Sequence, residues 1–173
     1  MINTLQRLSE VELPITLYFN RVNHRVLCSH FFAAISRMGN GIFWYSIIAS
    51  LPFIYGWPAV KYSLQMLAVG FVALLIYKTL KMSTTRQRPY QVDKNIFQNV
   101  PALDLYSFPS GHIMHAVSFS LVLTHFYPEW GWVVWPFTVL VAFSRLILGL
   151  HYPSDVIVGA AIGFIVAQVS FQF

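Results

Sequence analysis

The sequence contains very little charge for its length. Of its 173 residues, 11 are lysine or arginine and 6 are aspartate or glutamate, so charged residues make up 10% and hydrophobic residues 57%. An average soluble domain is about 25% charged and ~45–50% apolar, and a chain this short cannot cover so much apolar surface with so few charges. The composition therefore excludes a soluble monomer, and it also excludes an intrinsically disordered chain.

Cysteine is scarcer still. Cys28 is the only cysteine, so a disulfide-stapled scaffold is impossible.

The formal net charge is +5, yet most basic residues lie near the ends of apolar segments rather than in one run, which argues against a nucleic-acid partner. The N-terminal stretch carries several charges and Pro14 and lacks a clean apolar core, so we expect no signal peptide.

Long apolar segments are what the sequence has in abundance. A membrane-spanning helix needs about 20 residues to cross the ~30 Å hydrocarbon core, and aromatic residues at 17% are typical of proteins with interfacial aromatic belts. Before the spans, Leu5, Leu8 and Val11 predict an amphipathic helix in the membrane interface. Residues 26–38 are apolar but too short and too polar to be assigned a span. Five spans are predicted, over residues 42–57, 62–80, 113–127, 130–150 and 154–173.

This pattern predicts an all-α membrane protein, a helical bundle of about five to six helices. We expect a single domain over residues 1–173, with interfacial helices in residues 1–40 and a transmembrane core in residues 42–173. The polar stretch 86–109 is unusually long for a structureless connection. It is therefore predicted to form either a short interfacial helix or a functional lid.

Polar residues inside this membrane frame form three groups. Ionisable groups at membrane depth are costly and usually functional. The second span ends on the membrane side where the third begins, and the fourth returns to that side before the fifth begins. Counting five spans therefore places all three groups on one face. The groups are Lys81 with Arg88 and Pro89; Ser107 to His112; and Ser144 and Arg145 with His151 and Asp155.

The cations of these groups indicate an anion. Lys81, Arg88 and Arg145 converge with no nearby excess of carboxylates. Arginine offers a planar fork that suits phosphate oxygens, and lysine adds a point charge. Ser110 and Gly111 open a helix, whose free N–H groups and dipole also favour an anion. Glycine permits a close approach of the backbone, so the pattern is typical of a phosphate site.

Two histidines bracket the expected phosphate. Asp155 lies four residues after His151 and is the only carboxylate expected near the site. A carboxylate that holds one imidazole nitrogen leaves the other free as a nucleophile, and Gly149 offers a break in the helix before His151. His112 shares a helix face with His115, which leaves zinc as an alternative, but no glutamate or thiolate partner lies beside them.

Two other features are assigned without a catalytic role. Arg86 is interpreted either as a phosphate contact at the rim of the site or as a solvated charge. Positions 155, 159, 163 and 167 repeat every four residues, three of them glycine or alanine, and predict a helix-packing face that turns Asp155 inward.

The motifs as a set resemble a known family. Lys81-x6-Arg88-Pro89, then residues 109–112 as Pro-Ser-Gly-His, then Ser144-Arg145-x5-His151-x3-Asp155 look like the three signatures of the type 2 phosphatidic acid phosphatase (PAP2) superfamily. This superfamily includes lipid phosphatases and vanadium-dependent haloperoxidases. The resemblance covers residues 81–155 and extends to the first 60 residues only as a general helical pattern.

The resemblance implies a phosphatase that needs no metal and no other cofactor, built on a core of about six helices. It implies that His151 is the nucleophile, through a phosphohistidine, and that Asp155 orients it. It implies that His112 protonates the leaving group. It further implies that the phosphoryl oxygens are bound by Lys81, Arg88, Ser110, Gly111 and Arg145.

The expected activity is removal of a terminal phosphate from a lipid phosphate in the bilayer. Similarity to short bacterial members favours undecaprenyl diphosphate, with a broad-specificity phosphatidylglycerophosphate or phosphatidic acid phosphatase as the alternative. A silent lipid-binding protein and a lipid phosphotransferase are alternatives of a different class. No obligatory protein partner is expected. The count of basic residues places the site in the cytoplasm, but the resemblance favours the periplasmic side of a bacterial inner membrane, which is the location that we predict.

Overall fold

The computed structural model describes residues 2–173, with side chains from residue 5 onward, and this part of the chain is helical and contains no β-strand. The fold is all-α, as predicted. The helices are α1 (Ile2–Asn20), α2 (Val26–Arg37), α3 (Phe43–Tyr55), α4 (Val60–Thr84), α5 (Pro89–Val92), α6 (Gly111–Phe126), α7 (Gly131–Ile147) and α8 (Pro153–Ser170).

Three helical stretches are long and apolar enough to cross a membrane. They cover Trp57–Val92, Pro128–Ile147 and Pro153–Ser170. The first contains the second predicted span, and the other two overlap the fourth and fifth. By the same measure α3, with 13 residues, and α6, with 16, are too short, because 16 residues extend only about 24 Å. The prediction of five spans therefore exceeds what helix length and composition support.

The N-terminal region contains two helices and a bend. Helix α1 continues through Pro14 and packs against α7 and α8. Helices α2 and α3 are joined by one wide turn, Met38–Ile42, in which Gly41 has a φ of 131°. L-residues rarely adopt this conformation, but glycine does so at little cost. The bend turns Asn40 toward the start of α6.

Helix α6 lies in the centre of the bundle, between α4, α7 and α8. The closest packing is against α8, whose small residues let the two backbones approach. A Cβ added at Gly159 would lie 2.6 Å from the carbonyl oxygen of Ser110, and one at Gly163 would lie 2.4 Å from that of Met114. The predicted packing face of α8 is confirmed, and it places Asp155 next to the start of α6.

The stretch between α4 and α6 contains only the four-residue helix α5 and is otherwise irregular. It is fixed by side chains from the N-terminal region. Asn20 donates to the carbonyl oxygen of Phe97 at 2.9 Å and accepts the Phe97 N–H at 2.8 Å, and Asn23 donates to the same carbonyl at 2.7 Å. The stretch thereby covers the end of the bundle where the predicted site residues lie.

Candidate active site

The ends of α4 and α7, the start of α6 and the turn between α2 and α3 meet around a cavity of about 160 Å³. The cavity lies on the face that the sequence predicted for the three polar groups. Ser110 lies beside it at the start of α6, and Asp155 lies behind His151. The predicted site residues that line the cavity are Lys81, Arg88, Gly111, His112, Arg145 and His151.

The three predicted cations are all buried, with exposed fractions of 5% or less. Arg88 Nη1 donates to the carbonyl oxygen of Leu150 at 2.7 Å and lies 3.3 Å from His151 Nε2. Arg145 Nη1 donates to Ser36 Oγ at 2.6 Å, whereas its Nε is buried and has no partner among the described residues. Buried cations are costly unless an anion or several acceptors compensate them, so this end of the bundle favours a negatively charged ligand.

One carboxylate inside the cavity was not predicted. Lys81 Nζ lies 2.7 and 2.8 Å from the two carboxylate oxygens of Asp104, and Arg88 Nη2 lies 2.7 Å from one of them. Burial raises the pKa of Asp104, but ion pairing with Lys81 and Arg88 outweighs burial and leaves that pKa below its ordinary value. The expectation that Asp155 is the only carboxylate near the site is therefore wrong, because the irregular stretch carries Asp104 back onto the end of α4.

His151 lies in the short connection between α7 and α8. Gly149, with a φ of 67°, ends the helix as predicted, and the His151 N–H reaches back to the carbonyl oxygen of Arg145 at 3.2 Å. Nδ1 of the ring lies 3.5 Å from Asp155 Oδ2, whereas Nε2 faces the cavity beside Arg88. Burial lowers the pKa of His151 well below its ordinary value, and Arg88 and Arg145 lower it further. The imidazole is therefore neutral at pH 7.

His112 is on the opposite wall of the cavity, in the first turn of α6. Its Nε2 is hydrogen-bonded to the side-chain oxygen of Asn40. His115 is a packed residue, because its two ring nitrogens contact the carbonyl oxygens of Gly111 at 2.8 Å and Gly70 at 3.0 Å. Within residues 2–173, no group of three or more histidine, cysteine or acidic side chains could hold a metal ion.

The start of α6 presents further donors. Ser110 Oγ is buried and has no hydrogen-bond partner within the described chain. The first backbone N–H groups of any α-helix lack intrahelical acceptors, so those of α6 are available to a ligand in the cavity. The ring of Tyr77 lies 3.2 Å from the position that a Cβ on Gly111 would take, and a larger residue would push this wall of the cavity outward.

Two charged residues lie behind Asp155: Arg86, which was assigned wrongly from the sequence, and Glu12, which was missed. Arg86 is 4% exposed, so it is neither a solvated charge nor a contact at the rim. Its Nη1 donates to Asp155 Oδ1 at 2.6 Å and its Nη2 donates to Glu12 Oε2 at 2.8 Å. No signal in the sequence singled out Glu12, because the same helix also carries Arg7 and Glu10, and nothing in the pattern indicated that Glu12 would meet Arg86.

This geometry defines a class of protein: a membrane-embedded helical bundle in which two histidines and three cations line one cavity. A sequence model described as the PAP2 superfamily matches residues 58–173, more than half of the chain. The chain therefore belongs to the PAP2 superfamily, and it is a membrane phosphatase of that superfamily.

Curated relatives carry phosphatase names. The lipid A 4'-phosphatase of Porphyromonas gingivalis is 24% identical over 97% of this chain and 75% of that protein. An undecaprenyl-diphosphatase of Sulfolobus acidocaldarius is 31% identical, and the match covers 61% of this chain and only 52% of the relative. The relatives thus share the lipid phosphatase class but differ in the lipid that their names specify.

Solved structures share the fold. Aquifex aeolicus LpxE superposes with a TM-score of 0.81 at 23% identity, over 94% of this chain and 96% of that chain. A transmembrane PAP2 type phosphatidylglycerolphosphate phosphatase from Bacillus subtilis superposes with a TM-score of 0.77, also at 23% identity, over 96% of this chain and 86% of that chain. These likenesses extend over the N-terminal helices as well as the family-matched region.

Proposed function

We propose that this chain hydrolyses the terminal phosphate of a lipid phosphate or diphosphate, with His151 as the nucleophile. The observation that carries the proposal is the orientation of the His151 ring. Its Nδ1 faces Asp155 at 3.5 Å, and its Nε2 faces the cavity next to Arg88. A neutral imidazole held on one side by a carboxylate presents the lone pair of its other nitrogen to a bound phosphorus atom.

In the first step, Nε2 attacks phosphorus, so that an N–P bond forms while the P–O bond to the lipid breaks. His112 gives a proton to the departing oxygen, and Asp155 stabilises the positive charge that develops on the ring of His151. Lys81, Arg88 and Arg145, together with Ser110 and the N–H groups at the start of α6, bind the phosphoryl oxygens. Such preorganised donors stabilise the charge of the transition state.

In the second step, water attacks the phosphohistidine. The N–P bond breaks, the phosphate leaves, and the water proton passes to His112, which thereby returns to its starting protonation state. Each proton that His112 donates in the first step is recovered in the second, so the cycle is balanced without a further acid or base.

The substrate that we favour is undecaprenyl diphosphate. A relative with 31% identity is named undecaprenyl-diphosphatase, and the 160 Å³ cavity suits a phosphate group better than a bulky head group. The lining also includes the large side chains of Trp44 and Tyr45 on α3 and Leu74 on α4, which suit contact with the first part of a lipid chain. A phosphatidylglycerophosphate or phosphatidic acid phosphatase is the second candidate, since one structural neighbour carries such a title.

Phosphate release from detergent-purified protein tests this proposal. The panel consists of undecaprenyl diphosphate, phosphatidylglycerophosphate, phosphatidic acid and lipid A, with His151→Ala as the matched inactive control. We expect the highest kcat/KM on the diphosphate. A protein that releases no phosphate from any of the four is a silent binder, and one that passes the phosphoryl group to a second lipid in place of water is a phosphotransferase.

The site is proposed to face the periplasm of a bacterial inner membrane. In a Cys28→Ser background, single cysteines at Gln98 and at Glu129 lie at opposite ends of the bundle. An impermeant thiol reagent added to intact spheroplasts should label the cysteine at position 98 and spare the one at position 129. The reverse labelling pattern places the site in the cytoplasm.

A further inference from the structure

Three buried charges form a relay behind the proposed nucleophile. Glu12 on α1 pairs with Arg86 at 2.8 Å, Arg86 pairs with Asp155 at 2.6 Å, and Asp155 lies 3.5 Å from His151. The side chains of Arg86 and Asp155 are at most 2% exposed and that of Glu12 is 10% exposed. Charges in such a position are costly to desolvate unless they are well paired, so each of the three depends on its neighbours in the cluster.

The guanidinium of Arg86 is fixed on every side. Besides Glu12 and Asp155, it donates from Nε to Ser9 Oγ at 3.0 Å and from Nη1 to Ser154 Oγ at 2.7 Å. The group also lies over the ring of Tyr152, 4.1 Å from the ring centroid. A planar group held by four partners and one aromatic face has a single orientation, and it transmits that orientation to whatever it binds.

That orientation decides where the Asp155 carboxylate points. Oδ1 is taken by Arg86, and Oδ2 accepts the Tyr152 N–H at 2.9 Å. His151 Nδ1 lies 3.5 Å from Oδ2 and makes no hydrogen bond within the described chain, so its contact with Asp155 is electrostatic at this distance. Without Arg86, the carboxylate can rotate about its Cβ–Cγ bond, and the nucleophile loses its fixed partner.

The net charge of the relay also matters. Arg86 alone would neutralise Asp155 and weaken its attraction for a positive imidazole. Glu12 restores one negative charge to the cluster, which matches the single positive charge that develops on His151 as its N–P bond forms. The net charge of the relay therefore complements the positive ring of His151 during the attack rather than its neutral ring in the resting state.

We propose that Arg86 and Glu12 are positioning residues that hold Asp155, and through it His151, in the reactive orientation. The inference rests on the proposed function of His151. It gives α1, which lies outside the family-matched residues 58–173, a part in the reaction. Glu12 is then a component of the site contributed by the first helix, in addition to any role in packing.

The competing explanation is purely structural. Glu12 also accepts the Ser154 N–H and the Ser154 hydroxyl, each at 2.7 Å, and so caps the start of α8. Such a cap stabilises the start of the helix. If capping were its whole role, substitution would lower the melting temperature, and its effect would not depend on Arg86.

A double-mutant cycle with Glu12→Gln and Arg86→Gln separates the two explanations. Outer-shell partners typically contribute 10–100-fold. We expect kcat to fall about 10-fold for Glu12→Gln and about 100-fold for Arg86→Gln, with KM and vanadate inhibition unchanged because Lys81, Arg88 and Arg145 are intact. In the Arg86→Gln background, Glu12→Gln should have almost no further effect. Arg86→Lys, which keeps the charge but loses the fork, should recover part of the loss.

The matched control is Ser120→Ala, which removes a buried hydrogen bond to Thr138 of 2.8 Å between α6 and α7, away from the site. It should lower the melting temperature without lowering kcat. The proposal is overturned if the two losses multiply, if KM rises with the fall in kcat, or if Ser120→Ala reduces kcat as much as Glu12→Gln at equal loss of melting temperature.

A measurement that requires no enzymatic turnover tests this proposal independently of the proposed function. ¹⁵N NMR of the protein with labelled histidine reports the tautomer of His151, which a held carboxylate fixes with the proton on Nδ1. We expect one tautomer in the wild type and a mixture in Arg86→Gln. If no lipid phosphate is hydrolysed but this change occurs, the proposed function fails and the relay stands. An unchanged tautomer in an active enzyme overturns the relay alone.

Discussion

Asp104 occupies the donors that a phosphate would need. Its carboxylate oxygens lie 2.7–2.8 Å from Lys81 Nζ, and one of them also lies 2.7 Å from Arg88 Nη2. A phosphate bound by the same two cations must either displace this carboxylate or share the donors with it. Asp104→Asn keeps the size and one acceptor oxygen of the side chain and removes its negative charge. We therefore expect the substitution to strengthen anion binding.

The size of the effect follows from Coulomb's law. Two unit charges ~4 Å apart interact by about 4 kcal/mol at an effective dielectric constant near 20. The Asp104 side chain is 36% exposed, so solvent screening reduces this figure to about 1–2 kcal/mol. Since 1.4 kcal/mol corresponds to a factor of ten, the inhibition constants for inorganic phosphate and vanadate should fall about tenfold at low salt.

Inhibition of lipid phosphate hydrolysis measures this effect directly. Asp93→Asn is the matched control, because it makes the same charge change in the same stretch of chain, where the carboxylate accepts only the backbone N–H of Asn95. The difference between Asp104→Asn and the wild type should shrink with added salt. A tenfold rise in the inhibition constants would refute the reasoning, because Asp104 would then be orienting the two cations for phosphate instead of competing with it.

Four further outcomes are expected. His112→Ala should lose about 10²–10⁴-fold more activity on a lipid monophosphate ester than on a diphosphate or an aryl phosphate, because the leaving groups of the latter two need less protonation. His151→Ala should be inactive on all three substrates; aryl phosphate turnover retained by His151→Ala but not by His112→Ala would reverse the two roles. Because burial and the neighbouring arginines lower the pKa of His151, its neutral form persists as the pH falls, so the acidic limb of kcat/KM, which reports protonation of the proposed nucleophile, should lie below the ordinary histidine pKa of 6.5; an acidic limb centred at 6.5 would contradict this. Activity should persist in excess chelator, because three cations supply the charge neutralisation that a metal supplies elsewhere; abolition by chelator with rescue by one metal would overturn this. Gly163→Ala should destabilise the protein by about 1–3 kcal/mol, seen as a lower melting temperature in detergent, because its Cβ would lie 2.4 Å from the carbonyl oxygen of Met114; an unchanged melting temperature would mean that α6 and α8 are free to move apart.

The sequence was sufficient to predict that the motif residues would share one end of the bundle. This prediction required only the order of the spans, because each long apolar helix carries the chain from one membrane face to the other. The exact number of spans did not matter: α6 has only 16 residues, yet it still returns the chain from the site end to the opposite end. Local backbone chemistry was equally readable, as at Gly149, where a left-handed residue ends α7.

Residues outside the periodic segments could not be placed in the same way. Asp104 lies in an irregular stretch, and Asn40 lies in a wide helical turn. No hydrophobic period fixes where such backbone runs, because its path depends on side-chain contacts such as those of Asn20 and Asn23 with Phe97. Glu12 is on a regular helix, but its contact with Arg86 depends on how α1 docks, and amphipathicity alone does not specify the neighbour of a helix.

These unpredicted residues change the electrostatics that the motif implies. Lys81, Arg88 and Arg145 with Asp104 leave two positive charges facing the cavity, which equals the charge needed to neutralise a phosphate dianion. On the other side of His151, Glu12, Arg86 and Asp155 carry one net negative charge, which equals the charge needed to balance an imidazole that has attacked phosphorus. The ring of His151 lies between the two clusters, with Nε2 3.3 Å from Arg88 Nη1 and Nδ1 3.5 Å from Asp155 Oδ2. Without Asp104, the three cations would leave an excess of positive charge in front of His151, and without Glu12, Arg86 and Asp155 would form a neutral pair behind it. In the proposed reaction, Asp104 and Glu12 therefore adjust the charge on both sides of His151 to that of a phosphate substrate.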